Sequence, residues 1–376
     1  MSAPSGPLEL LREALRADLA DLSDRQPRFF RAPGRVNLIG EHVDYSGGLV
    51  LPVAVDRATI VAAAPRDDRR IRIRSREHGE IAGFDLDERL PRPQRSWVDY
   101  ARGIVLALRR RMPLAGADLA VGTTIPMGAG LASSAALEIA VGLALCAIAD
   151  RPIEPRVLAG AAQEAENSFV GVQSGLMDPL ASTFGVRDHA LLIDCRSGAV
   201  SPIPLPEGIV LATVDSGERH ALASSAYNRR RIETEEAARL LGVALLRDVS
   251  PERFAREGDE LPPLLRSRAR HVVGEISRVG AMVRALQRGA LEDAGALMNS
   301  SHASLRDNFE VSTPQLDLLV EAALDIEGVY GARMTGAGFG GSIVVLLRAD
   351  AAPALAERFG DAATIVHAAD GAAALE

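Results

Sequence analysis

Asp118-Leu-Ala-Val-Gly-Thr-Thr-Ile-Pro-Met-Gly-Ala-Gly-Leu-Ala-Ser-Ser-Ala-Ala136 decides the fold class of this chain. Asp118 to Ile125 reads as a strand running into Pro126, Met127 to Ala132 as a glycine loop, and Ser133 to Ile148 as a helix. A strand that turns through glycines into a helix N-terminus is a ready anion site. The first helical amides are unpaired, the dipole end is positive, and glycine lets the backbone approach a phosphate. The Gly-Lys-Ser/Thr ending of a P-loop is absent, so charge has to be neutralised by amides and a metal. The bland alternative is a tight turn capped by Ser133.

Outward from this loop, Leu49 to Val55, Thr59 to Ala64 and Arg70 to Ser75 read as strands, and Trp97 to Arg110 as an amphipathic helix. Beyond it come a strand at Ile209 to Asp215, long helices between Ser224 and Leu324, and a strand near Gly341 to Leu347. Pro206, in the cluster Leu205 to Gly208, marks a boundary between domains 1–207 and 208–376, each with mixed α and β layers. The 376 residues, 47% of them apolar, suffice for two cores.

A net charge of −8, from 42 basic and 50 acidic side chains, gives no general attraction to nucleic acid or anionic lipid. The longest strongly apolar stretch, Ile139 to Ala149, is too short to span a bilayer, and Met1 to Ala20 lacks the apolar run of a signal peptide. The expectation is a cytoplasmic protein with small-molecule partners, a monomer or weak oligomer. Cys146 and Cys195 read as buried, reduced thiols.

Three further segments concentrate polar chemistry. Arg31-Ala-Pro-Gly-Arg-Val-Asn-Leu-Ile-Gly-Glu-His-Val-Asp-Tyr45 gathers Arg35, Asn37, Glu41, His42 and Asp44 around two glycines, a set suited to a sugar pocket. Gly336-Ala-Gly-Phe-Gly-Gly341 is a second glycine loop. Gln163-Glu-Ala-Glu-Asn167 and Gly171-Val-Gln-Ser-Gly-Leu-Met-Asp-Pro179 carry Glu166 and Asp178 toward one region.

With these residues the sequence resembles the GHMP family of small-molecule kinases and, within it, the galactokinases, over roughly residues 28 to 348. Gly34 to Tyr45 is similar to the galactokinase signature, and Arg219 to Arg231 and Ser301 to Val311 are galactokinase-like. The resemblance implies an α+β fold of two domains, ribosomal protein S5-like and then ferredoxin-like, with the active site in the interdomain cleft. The implied reaction is ATP-dependent phosphorylation of the C1 hydroxyl of galactose.

By the same resemblance Asp178 is the catalytic carboxylate, supported by Arg35, and Ser134 and Glu166 are Mg2+ ligands. Gly128, Ala129, Gly130, Leu131, Ala132, Ser133 and Ser134 would cradle the phosphates of ATP, with Trp97 beside the adenine. Glu41, His42 and Asp44 would hold outer hydroxyls of galactose, with Gly175 making a backbone contact and Tyr227 near C4. Arg229 to Arg231 read as a solvated face. The pattern is broken at Ala132 (commonly Ser), Ser174 (commonly Cys), Pro179 (commonly Gln) and Ser46 (commonly Asn). A related kinase of N-acetylgalactosamine or another pyranose, and a non-catalytic galactose sensor, are the alternatives.

Overall fold

The computed structural model describes residues 6–88, 93, 94, 96–219 and 223–376. Met1 to Ser5, and His220 to Leu222 of the galactokinase-like segment, lie outside the described residues. The first half runs α1 (Pro7–Ala20), β1 (Arg28–Asn37), β2 (Leu49–Val50), β3 (Pro52–Pro65), β4 (Arg70–Ser75), β5 (Ile81–Asp85), α2 (Val98–Arg109) and β6 (Ala117–Thr123). It continues with α3 (Ser133–Ile148), α4 (Pro155–Ala165), α5 (Met177–Phe184), β7 (His189–Asp194) and β8 (Ala199–Pro204). The second half comprises β9 (Ile209–Asp215), α6 (Ala223–Leu240), α7 (Pro251–Glu257), α8 (Pro263–Arg288), α9 (Leu291–Ser304) and α10 (Pro314–Leu324). It closes with β10 (Val329–Thr335), β11 (Ser342–Arg348), α11 (Ala352–Phe359), β12 (Ala363–Val366) and β13 (Ala373–Leu375).

Six strands form the first sheet in the order β13-β1-β3-β6-β4-β5, with only β4 and β6 parallel. Both faces are covered, α1 packing Leu15 and Leu19 against Phe29, Ile60 and Ala62 on one side and α3 lying against β1 and β3 on the other. That is why α3 is apolar nearly all round and buries Ala135, Ala136, Ile139, Ala140, Val141, Ala144 and Leu145. A second sheet, β10-β11-β9-β12, is wholly antiparallel and carries α9 and α10 against β10. A small third sheet, β2-β7-β8, completes the frame.

The two expected strands at 49–55 and 59–64 are one 14-residue strand, β3, split only from the short β2. The polar pair Asp56-Arg57 interrupts its apolar pattern for a physical reason. There β3 leaves β1, as the register shift between Pro33 and Arg35 records. It bonds instead to the chain near its end, through Asp56 N to His367 O (3.0 Å) and Ala369 N to Ala54 O (2.8 Å). The shift re-aims β1 toward the loop before α3, where Arg35 N donates to Leu131 O at 3.1 Å. Both cysteines are buried and unpaired. Among the described residues no helix is long and apolar enough to cross a membrane.

Candidate active site

One side of the expected site is built largely from backbone. Ala132 sits in the left-handed region (φ 58°) and α3 begins at Ser133 with no side-chain cap. The bland alternative of a Ser133 cap is therefore not what the chain adopts, and the first amides of α3 stay without a side-chain acceptor. Gly130 (φ 77°) and Gly336 (φ 85°) press against each other: a Cβ on Gly130 would lie 2.8 Å from Thr335 O, and one on Gly336 2.8 Å from Gly130 O. The two glycine loops thus meet across the halves of the chain and enclose a cavity of about 350 Å³. Gly128, Gly130, Leu131, Ala132, Ser133, Ser134 and residues 335–341 line it, together with the charged side chains of Arg35, Asp178, Glu218 and Arg219.

The other side is built from buried side chains. Its cavity, about 240 Å³, is lined by Arg35, Glu41, His42, Asp44, Ser134, Glu166, Ser174, Gly175, Asp178, Tyr227 and others. Arg35, Ser134, Asp178, Gly336 and Ala337 belong to both cavities, so the two open onto one another there. At this junction Arg35 grips Asp178 with a two-pronged fork, Nε to Oδ1 at 2.8 Å and Nη2 to Oδ2 at 2.7 Å. Its remaining Nη1 donates to Gly130 O at 2.6 Å, tying the pair to the phosphate loop. Burial opposes the guanidinium charge, but Asp178, Glu41 and Asp44 outweigh it and the pKa of Arg35 rises. Asp178 stands in the first turn of α5, just before Pro179, as the proline placement predicts.

Glu41 holds the halves together: Asn37 Nδ2 (2.6 Å) donates to Oε2, while Gly336 N (2.6 Å) and Thr335 Oγ1 (3.2 Å) donate to Oε1. His42, at φ 61°, lies 2.9 Å by Nε2 from Ala337 O and 3.0 Å by Nδ1 from the Tyr45 hydroxyl. A carbonyl only accepts, which assigns the proton to Nε2 and makes Nδ1 the acceptor. Burial and then the neighbouring His271 push His42 down to about 3, so the ring is neutral. Asp44 is pushed up to about 7, by burial first and then by the charge of Asp178. Gly175 lies against it so closely that a Cβ would fall 2.1 Å from Asp44 Oδ2. Tyr227, on α6, has its ring 5.2 Å from His42 and 5.5 Å from Tyr45.

Glu166 opens a single π-helical turn, Glu166–Val170, after α4. Burial raises its pKa, against hydrogen bonds from Ser174 and Ser134. Trp97 precedes α2, stacks on His78 (5.6 Å, 4°), and donates from Nε1 to Glu80 at 3.2 Å. It borders a third cavity of about 340 Å³ that reaches Gly128, Ser133 and Ser134.

Every residue expected at the site lies on one of these three cavities except Ala129, which is buried behind the loop. The solvated face expected at Arg229 to Arg231 is corrected for two of its three members. Arg230 donates to Phe309 O and Glu310 O, and Arg231 to Gln173 O, because α6 packs beside the loop that carries Ser174. Sequence reasoning assigned no role to Arg219 and Arg333. Arg219 forks onto Asp215 and reaches Met127 O at 3.1 Å; the fully buried Arg333 donates to Asn37 O at 3.0 Å. No local pattern points from Arg219 to Met127, 92 positions away, or across the halves from Arg333 to Asn37.

Comparison with known proteins places this geometry in a class and then in a branch of it. Residues 99–186 match the GHMP kinases N terminal domain and residues 282–364 the GHMP kinases C terminal domain. The fold is shared with the mevalonate kinase of Methanococcus jannaschii (TM-score 0.64, 17% identity, 93% of this chain and 100% of that one). Residues 20–65 match the galactokinase galactose-binding signature. The galactokinase of Roseiflexus sp. (strain RS-1) is 48% identical over 91% of each chain. That of Chloroflexus aggregans is 50% identical over 86% of this chain and 84% of its own. The crystal structure of Lactococcus lactis galactokinase complexed with galactose superposes with a TM-score of 0.93, at 32% identity over 97% of this chain and 100% of that one. The chain belongs to the galactokinases of the GHMP kinase family, whose kinases use ATP.

Proposed function

We infer that the chain transfers the γ-phosphoryl group of ATP to the C1 hydroxyl of galactose, giving galactose 1-phosphate and ADP. The observation that carries this reading is the Arg35–Asp178 fork at the opening between a side-chain-lined and an amide-lined cavity. Galactose fits the first, with Glu41, His42, Asp44, Gly175 and Tyr227 around it. The phosphates fit the second, against the uncapped start of α3, and adenine fits beside Trp97.

In that arrangement Asp178 accepts the proton of the C1 hydroxyl as its oxygen attacks phosphorus. Because phosphoryl transfer has a loose transition state, orienting the hydroxyl matters as much as its basicity. Arg35, held by Asp178 and Gly130 O, stabilises negative charge at the sugar oxygen. Transfer is direct, and the division at residue 207 puts Arg35 and Asp178 on the first domain and the Gly336 loop on the second.

Ser134 and Glu166 fit Mg2+ by donor chemistry: a hydroxyl and a buried carboxylate, hard oxygens that line the same cavity. Two protein ligands suffice, since magnesium keeps waters and phosphate oxygens. Bound there, it would neutralise phosphate charge that no P-loop lysine covers. Purified protein given ATP, Mg2+ and a panel of hexoses should consume ATP fastest with galactose; faster consumption with another pyranose overturns the substrate assignment.

A further inference from the structure

Ser174 belongs to the sugar cavity and to the Glu166 carboxylate at once. Its Oγ donates to Glu166 Oε2, and the residue lines the cavity shared by Asp44 and Asp178. A serine hydroxyl has one proton and two lone pairs. With the proton committed to Glu166, it offers the sugar cavity only an acceptor.

We propose that Ser174 is a positioning residue that couples the two substrates: a galactose hydroxyl donating to Ser174 Oγ strengthens the bond from Ser174 to Glu166, and sugar and metal-nucleotide bind cooperatively. The inference rests on the reading of Glu166 as a metal ligand.

Three observations support it. Ser174 is held from both flanks: Gln163 Nε2 donates to Ser174 O (3.3 Å), Gln173 N to Asn228 Oδ1 (3.1 Å), and Arg231 Nη1 to Gln173 O (3.0 Å). The next residue, Gly175, abuts Asp44, which seats this segment against the sugar side. Of the two serines that line this cavity with Glu166, Ser134 is assigned to the metal itself, whereas Ser174 donates to the carboxylate.

Hydrogen bonds in a chain polarise one another, so a sugar O–H on Ser174 Oγ makes its own proton a better donor to Glu166. Coupling of this kind is reciprocal: if galactose tightens the metal-nucleotide, the metal-nucleotide tightens galactose by the same factor. The thiol that galactokinases commonly have here is a weak donor. This chain therefore carries the stronger form of the link.

The test is the affinity of the full chain for Mn2+ in the presence of ADP, read by electron paramagnetic resonance with and without galactose. Native protein, Ser174→Ala, Ser174→Cys and Glu166→Gln are compared. In native protein galactose tightens Mn2+ binding. Ser174→Ala is expected to bind Mn2+ about tenfold more weakly, as for the loss of a partner that orients a metal ligand, and to lose the galactose response. Ser174→Cys should fall between. A native galactose response in Ser174→Ala overturns the coupling. Unchanged Mn2+ binding in Glu166→Gln removes the metal reading of Glu166 and the inference with it, a distinct failure because it appears without touching Ser174.

Discussion

The cavities proposed for sugar and for phosphate, joined at Arg35 and Asp178, would recognise their substrates by opposite means. One presents the buried side chains of Glu41, His42 and Asp44; the other presents the start of α3 and two glycine loops, with Glu218 and Arg219 as the charged side chains it does not share with the first. The difference follows from what each ligand asks for. Phosphate oxygens accept from any amide, so geometry alone selects them. A sugar's hydroxyls differ only in position, and a pocket built to pair with one rejects a sugar lacking it by roughly 10⁴-fold. Mutations on the two sides should accordingly fail in different ways.

The largest effect belongs to the junction. Asp178→Asn should lower kcat by about 10²–10⁴-fold, the range of a positioned general base, while calorimetry finds galactose binding largely kept. Near-native turnover would erase the distinction between binding and transfer. On the phosphate side, Gly130→Ala forces a methyl within 2.8 Å of Thr335 O at φ 77°. A cost of about 1–3 kcal/mol predicts a nucleotide KM about 5- to 150-fold higher, with galactose affinity little changed.

Asp44 sharpens the comparison by pH. Its carboxyl, lifted to about 7 by burial and then by Asp178, is increasingly protonated below neutrality. A protonated carboxyl is a poorer acceptor, so galactose affinity should rise between pH 6 and 8. Asp44→Asn should flatten that profile, and nucleotide affinity should show no such limb. The same shift has the reverse sign for folding: an ionised, buried Asp44 costs stability above its folded pKa, and that cost is relieved as the pH falls toward its unfolded value of 3.8. The smallest effect is at Trp97→Phe, which keeps an aromatic face and loses the bond to Glu80. A loss of about 0.5 kcal/mol, the low end for an aromatic contact, predicts a nucleotide KM about twofold higher by steady-state kinetics.

Legibility in the sequence followed the same division. The glycine loop and α3 could be read directly, because strand, turn and helix are adjacent in the chain and each has a local signal. The strand Ile209–Asp215 and the start of α3 fall where the pattern put them. β1 escaped, since Pro33 and Gly34 sit inside it. The proline is accommodated because β13 pairs only with Phe29 to Arg31, leaving no ladder partner on that side at Pro33. The sugar residues stood out by their density of polar groups, yet their roles came from resemblance, because no spacing rule says that Glu41 bonds Gly336 N some 295 positions away. Arg219 and Arg333 were silent for the same reason.

β13 gives the order of synthesis a structural meaning. The strand bearing Arg35 is among the first made, but its outer edge at Phe29 to Arg31 is covered only by Ala373 to Leu375. While a ribosome is still extending the chain, that edge has its amides and carbonyls open to any passing strand. A nascent chain held on the ribosome short of residue 373 should therefore be far more prone to aggregate than one in which Ala373 to Leu375 have emerged and paired.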